Sequence, residues 1–231
     1  MALYDPGTRR HAEAIGVAPG WRRLEVGGGG GYPRVPSDVE ILHHDVAAGP
    51  PPQREFDLVH ARLLLLHAPQ RGALLRSLVS ALKPGGWLLV EDVDCRILGC
   101  QDGAAEEPAH VSVTGGRTAS DTLVVARVLR AMGRIMTSNG VDLAYGRKLH
   151  GLLSGAGLVD IAVEGHLETG AGGSPLGALH RANMEQLRDQ MVASGMVTGR
   201  EIDRACHVVM DPGSAAVTPG IMISARGRRP R

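Results

Sequence analysis

The chain is poor in aromatic side chains and nearly devoid of lysine. Phe56 is its only phenylalanine, and aromatics make up 3% of the 231 residues. The core must therefore come from Leu, Val, Ile, Met and Ala, and a ligand pocket has few aromatic walls to stack against. Lys83 and Lys148 are the only lysines, so arginine carries nearly all the positive charge. That bias fits a GC-rich genome rather than a function. Cys95, Cys100 and Cys206 make an odd number of thiols in a chain too large to need staples, which points to a reducing cytoplasm. Neither sign of charge is in excess: the net charge of +1 gives no electrostatic basis for binding nucleic acid. No apolar run approaches the ~20 residues that a membrane span needs. The first residues contain no apolar stretch of the kind that directs export.

What is present is an alternation of short apolar runs and amphipathic segments. Trp21, Leu24 and Val26 form a short strand that runs into five glycines, Gly27 to Gly31. Such an ending suits a turn where backbone approaches a ligand. Val39–Leu42 and Phe56–His60 are further strand candidates, separated by the Pro50-Pro51-Pro52 connector. Between residues 70 and 82, Leu74, Leu75, Leu78, Val79 and Leu82 recur at helical spacing. Lys83-Pro84-Gly85-Gly86 then ends that helix, and Trp87–Val90 follows as a strand apolar on both faces, ending at Glu91-Asp92. This βαβ pattern predicts an α/β fold with a covered, mostly parallel sheet. Downstream, the spacing predicts helices over 119–139, 149–156, 175–197 and 199–210, and strands over 159–163 and 221–225. Ser174-Pro175 is a good helix start, and Thr198 with Glu201 matches a capping box. One domain spanning 1–231 is expected.

Four motifs occur in order: Glu25-x-Gly27-x-Gly29-x-Gly31, then His44-Asp45-Val46, then Phe56-Asp57-Leu58-Val59-His60-Ala61-Arg62, then Leu82-Lys83-Pro84-Gly85-Gly86-Trp87. Together they resemble class I S-adenosylmethionine-dependent methyltransferases of the small-molecule type. The resemblance implies a Rossmann-like, doubly wound sheet of seven strands, the last antiparallel, with a helical insertion before it. It implies S-adenosylmethionine as cofactor, and transfer of its methyl group to an N, O or C nucleophile of a small molecule. By the same resemblance, Gly27, Gly28 and Gly29 pass under the methionine and ribose of the cofactor, with Glu25 steering that loop. Asp45 accepts from the adenine amino group with Val46 beside it, and His60, Ala61 and Arg62 line the methionyl end. Read from spacing alone, Asp45 is a solvated loop carboxylate, and Asp57 is a strand-edge charge left out of the site.

One departure from the family pattern stands out. After Gly31 only seven residues, two of them proline, precede Val39. A parallel crossover takes a dozen or more residues, so roughly 25 are missing, with the second strand and its ribose-binding carboxylate. Either the sequence omits a stretch of the molecule or the deletion is real, and the intact later motifs favour the former. If the deletion is real, the alternative is a catalytically inactive methyltransferase-like binding subunit. A nicotinamide-dependent oxidoreductase shares the glycine loop, but it wants an acidic residue ~20 positions further on, in the absent segment.

No metal site is expected: Cys95, Cys100 and His110 have neither finger nor ribbon spacing, and no G-x-S-x-G elbow supports a hydrolase. His67, just past the fourth strand of the family pattern, is the best-placed base, although a histidine beginning a helix accounts for it as well. No catalytic residue is assigned. Specificity would come from cap elements near 1–18, 95–140 and 175–210. Their Met132, Met136, Met184, Met191 and Met196 suit an apolar ligand, but filling a core poor in aromatics explains them better. A homodimer is among the expected assemblies.

Overall fold

The computed structural model describes residues 5–27, 44–45, 49, 55–95, 118–217 and 220–231. The chain gathers into two compact units, one over residues 8–92, 145–164 and 223–231, the other over 1–7, 93–144 and 165–222.

The first unit carries the main sheet. Its described strands are β1 (Arg23–Val26), β2 (Phe56–Arg62), β3 (Leu82–Asp94), β4 (Val159–His166) and, last in the chain, β7 (Ile221–Arg228), in the spatial order β1-β2-β3-β7-β4. β1 pairs with β2 in parallel, placing Glu25 opposite His60. β2 pairs with β3 in parallel, placing Arg62 opposite Glu91. β7 lies antiparallel to β3. The Gly85 N–H donates to the Arg229 carbonyl at 2.9 Å and the Arg229 N–H to Gly86 at 2.8 Å, where β3 begins and β7 ends. Farther along β3 and nearer the start of β7, Ser224 bonds to Glu91. This is the Rossmann-like, mostly parallel sheet expected, with the last strand reversed. Five strands, not seven, form it among the described residues; the expected strand at 39–42 lies outside them.

Local chemistry accounts for these elements. Leu88, Leu89 and Val90 are buried, so both faces of β3 are covered, as the absence of alternation predicted. One cover is α2 (Arg71–Ala81), whose Leu74, Leu75, Leu78 and Ala81 are buried. Another is α1 (Asp5–Ile15): Ile15 packs with Leu58 and Leu89, flanked by Trp21 and Trp87. The Lys83-Pro84-Gly85-Gly86 segment lies within β3, as a bulge in which four residues between Leu82, paired to Phe56, and Trp87, paired to Leu58, stand against one on β2. Gly85 takes φ +81°, and a Cβ on Gly86 would stand 2.7 Å from the Phe56 carbonyl oxygen, so both positions demand glycine.

The second unit is mainly helical. α3 (Ala119–Ser138), α5 (Pro175–Gln186), α6 (Arg188–Ala193) and α7 (Gly199–Met210) bury Val128, Leu129, Met132, Met184, Met191 and Ile202 in one cluster. The methionines are thus core, as the aromatic shortage suggested, with Met136 and Met196 packed on its margin. α7 opens with the expected capping box between Thr198 and Glu201. The single helix expected over 175–197 is broken at Leu187 (φ −99°, ψ 6°). Ser174 sits at the N-cap of α5, but its hydroxyl makes no capping bond. A short antiparallel pair, β5 (Thr169–Ala171) with β6 (Ala215–Val217), was not legible in the pattern. α4 (Leu149–Gly155), in the first unit, follows a single 3-10 turn at Gly146–Lys148.

Candidate cofactor site

In an open parallel sheet, ligands bind beyond the carboxyl ends of the strands. Here β1 and β2 end side by side, with Val26 opposite Ala61. The chain leaves β1 at Gly27, whose φ is +83°. A Cβ there would stand 3.3 Å from the Leu64 side chain, so the turn is bare backbone for a steric as well as a torsional reason. Leu63, the residue after β2, is also in the left-handed region (φ 51°), and its N–H is held by the Glu91 carbonyl at 2.8 Å.

His60 organises the space between the strands. Its Nδ1 bonds to the Glu25 carboxylate on β1, and its Nε2 lies 2.9 Å from Glu91 Oε2 on β3. Burial would lower the His60 pKa, but its hydrogen bonds to the Glu25 and Glu91 carboxylates overcome it and raise it to about 9. The ring is therefore an imidazolium at neutral pH, donating from both nitrogens. Glu91 behaves in reverse. Burial would raise its pKa, but His60, Ser224 and Thr8 hold it down at about 2. Ser224 Oγ donates to Glu91 Oε1 at 2.7 Å, and the Thr8 hydroxyl donates to Oε2. Thr8 Oγ1 in turn accepts from Arg62 Nη1 at 2.8 Å.

The structure thus brings together Glu25, Gly27, His60, Ala61 and Arg62 from the residues picked out in the sequence. Ala61 is buried and Arg62 half-buried. Asp45 is exposed, beside His44, whose Nε2 donates to the Gly49 carbonyl at 3.0 Å. Gly28, Gly29 and Val46 lie outside the described residues, as do Cys100, His110 and the segment that follows Gly31 up to residue 43. His67 is exposed on a turn, its pKa lowered by partial burial. Asp57 is held at the other end of β2: burial would raise its pKa, but Lys83 and the Arg22 N–H lower it.

Sequence reasoning missed Glu91 and Asp92, which it placed where the strand stops. β3 runs on to Asp94, so both are interior strand residues, 1% and 0% exposed. The signal was available: a carboxylate inside a strand covered on both faces needs a partner, and His60 is on the adjacent strand. Asp92 differs from its neighbour. Neither of its oxygens has a hydrogen bond of ordinary geometry among the described residues. Desolvation raises its pKa to about 7, against the opposing pull of the Leu64–Leu66 amides and Arg71.

A parallel sheet with a glycine turn and acidic side chains at its carboxyl edge is the frame of nucleotide-cofactor enzymes. The comparisons with known proteins narrow it. A methyltransferase-domain family model matches residues 2–159, and the chain belongs to that family. The resemblance to S-adenosylmethionine-dependent methyltransferases read from the motifs is thereby borne out, and the dehydrogenase alternative gains no support. Methyltransferase str3 of Strobilurus tenacellus is 30% identical over 132 residues, covering 56% of this chain and 42% of that protein. Methyltransferase str2 of the same organism is 44% identical over 39 residues, 17% of this chain and 14% of that protein. The chain thus spans less than half the length of the curated relatives it matches. A solved structure from Bacillus halodurans C-125, provisionally assigned as a methyltransferase, is 15% identical with a TM-score of 0.53, covering 96% of this chain and 98% of that chain. It is a likeness of fold. No helix among the described residues is long and apolar enough to cross a membrane.

Proposed function

We propose that this chain is an S-adenosylmethionine-dependent methyltransferase acting on an N, O or C nucleophile of a small molecule, with secondary metabolites among the candidate acceptors. The observation that carries this reading is the bare Gly27 turn at the carboxyl end of β1, beside Glu25 and His60. The residues present fit the cofactor: Gly27 turns the backbone at positive φ at the carboxyl end of β1, and the Glu25 carboxylate is suited to a ligand bearing positive charge. When bound, S-adenosylmethionine supplies an activated methyl on a sulfonium.

The chain's own residues bind and orient. Gly27 and, by the family resemblance, Gly28 and Gly29 bring backbone against the methionine and ribose. Asp45 and Val46 take the adenine end; His60, Ala61 and Arg62 border the methionyl end. Most of the rate then comes from proximity and alignment, because the leaving sulfide needs no acid. His60 is protonated at neutral pH and does not serve as a general base there. The proposal includes a cytoplasmic setting, supported by the odd number of cysteines in the sequence, one functional domain over 1–231, and a homodimer, which light scattering checks. The near-neutral charge supports small molecules rather than nucleic acid as partners.

Calorimetric titration with S-adenosylhomocysteine, with NADH as control, tests the reading. Micromolar binding of the first alone is the expected result. No binding by a chain that still unfolds cooperatively would overturn it in favour of a cofactor-free relative.

A further inference from the structure

We propose that Glu91 is a positioning residue of the cofactor site: through His60 it fixes where the Glu25 carboxylate stands at the mouth of the Gly27 turn. This rests on the cofactor reading above and adds a residue to it. The geometry is a chain of contacts running from the inside of the sheet outwards. Glu91 is 1% exposed and accepts from three elements at once: Thr8 on α1, His60 on β2 and Ser224 on β7. A carboxylate bonded on three sides in a strand interior has no freedom to swing. It anchors one nitrogen of the His60 ring, and the other nitrogen reaches the Glu25 carboxylate, whose side chain is 42% exposed. Left alone, a glutamate so exposed would sample many rotamers, and ordering it on ligand binding would cost side-chain entropy. Held by His60, it is ordered beforehand.

The arrangement also sets the charge. A ring bracketed by two carboxylates must donate twice, so it must be protonated. The groups facing it are Glu25 from β1 and Glu91 from β3. Around Glu91 stand Thr8 and His11 from α1, Ser224 from β7, and Arg62, reached through Thr8. Arg226 of β7 lies against His11, 3.3 Å from its Nδ1. Loss of the His60 proton removes one of the two donated bonds and sets like charges across a neutral ring. Glu25 is then released.

A merely structural cluster would lose stability as the His60 proton leaves without moving ligand affinity in the folded chain, whereas a positioning relay moves the affinity along that titration. The experiment follows the affinity for S-adenosylhomocysteine from pH 6 to 10, with NMR titration of the His60 ring, in wild type and Glu91→Gln. In wild type the affinity is expected to fall along the His60 titration, near pH 9. In Glu91→Gln the ring midpoint should drop by about 1–2 pH units, weakening binding about tenfold at pH 8.5 and little at pH 6. Adding Glu91→Gln to His60→Gln should cost nothing further at pH 8.5, because Glu91 acts through the ring. A Glu91→Gln loss that is the same at every pH, or an additive double variant, would overturn the proposal and leave Glu91 a structural tie. Should Glu91→Gln fail to fold, the wild-type profiles decide: a His60 midpoint at the ordinary histidine value, or an affinity that ignores it, overturns the proposal. Absence of binding by folded wild type at pH 6 would overturn the cofactor reading, and this inference with it. Normal wild-type binding with an unaffected variant overturns only the inference.

Discussion

Glu91 and Asp92 are neighbours on one strand, almost equally buried, and their carboxyl groups are perturbed in opposite directions. Successive strand residues face opposite sides of a sheet, so they meet different company. Glu91 meets an imidazolium and two hydroxyls; Asp92 meets desolvation first, only partly offset by the Leu64–Leu66 amides and Arg71. The folded-state pKa of Asp92, about 7, lies above its unfolded value, so the folded chain holds the extra proton between roughly pH 4 and 7. Stability contributed by this group therefore falls as pH rises through that window and is flat above it. Asp92→Asn removes the titration. The variant is expected to be more stable than wild type at pH 8, by on the order of 2–4 kcal/mol, with the gain vanishing below about pH 4. Urea unfolding across pH checks this, and a gain independent of pH would refute the assignment. At this scale the sequence was informative where a residue's purpose is local. Gly27 was legible as a turn because a strand runs straight into glycine there, whereas Glu25 was picked out only through the family motif around it. The roles of Glu91, Thr8 and Ser224 depend on three elements distant in sequence meeting at one carboxylate, and no local pattern encodes that meeting.

Among the elements, α5 and α7 meet in an exacting contact. A Cβ on Gly177 would stand 2.4 Å from the Val209 carbonyl oxygen, too near to be accommodated without moving a helix. Helix propensity alone favours alanine over glycine by about 1 kcal/mol. Gly177→Ala is nevertheless expected to lower stability by about 2 kcal/mol, because overpacking against backbone outweighs propensity. Thermal or chemical denaturation checks the sign; a stabilised variant would mean that the two helices part easily. The amphipathic stripe of α3 and the Thr198–Glu201 box of α7 were readable because periodicity and capping act within a turn or two. The break at Leu187 and the β5–β6 pair were not, because each depends on what lies across from it. The Lys83–Gly86 segment falls between these cases: its turn chemistry was plain, but its incorporation into β3 follows from pairing with β2 and with Arg229.

For the whole molecule, the decisive fact is where the last strand goes. β7 lies between β3 and β4, not at an edge, in the order β1-β2-β3-β7-β4. Just beyond it, the Arg229 side chain reaches back to the Leu82 carbonyl at the start of β3. A chain ending at residue 220 would leave both neighbours with unpaired edges, and edges of that kind invite association. Such a chain is expected to lose its cooperative unfolding transition and to bind a dye for exposed apolar surface. A truncated chain that melted cooperatively would show that β3 and β4 hold without β7. The same topology has a consequence during synthesis. From the end of β4 at His166 to the start of β7 at Ile221, the ribosome adds 55 residues, which takes about 3–11 s at ~5–20 residues per second. For that interval β3 and β4 are unjoined, and the two edges that β7 will cover stand bare. This makes the growing chain a natural client for chaperones that shield such edges until the final strand arrives.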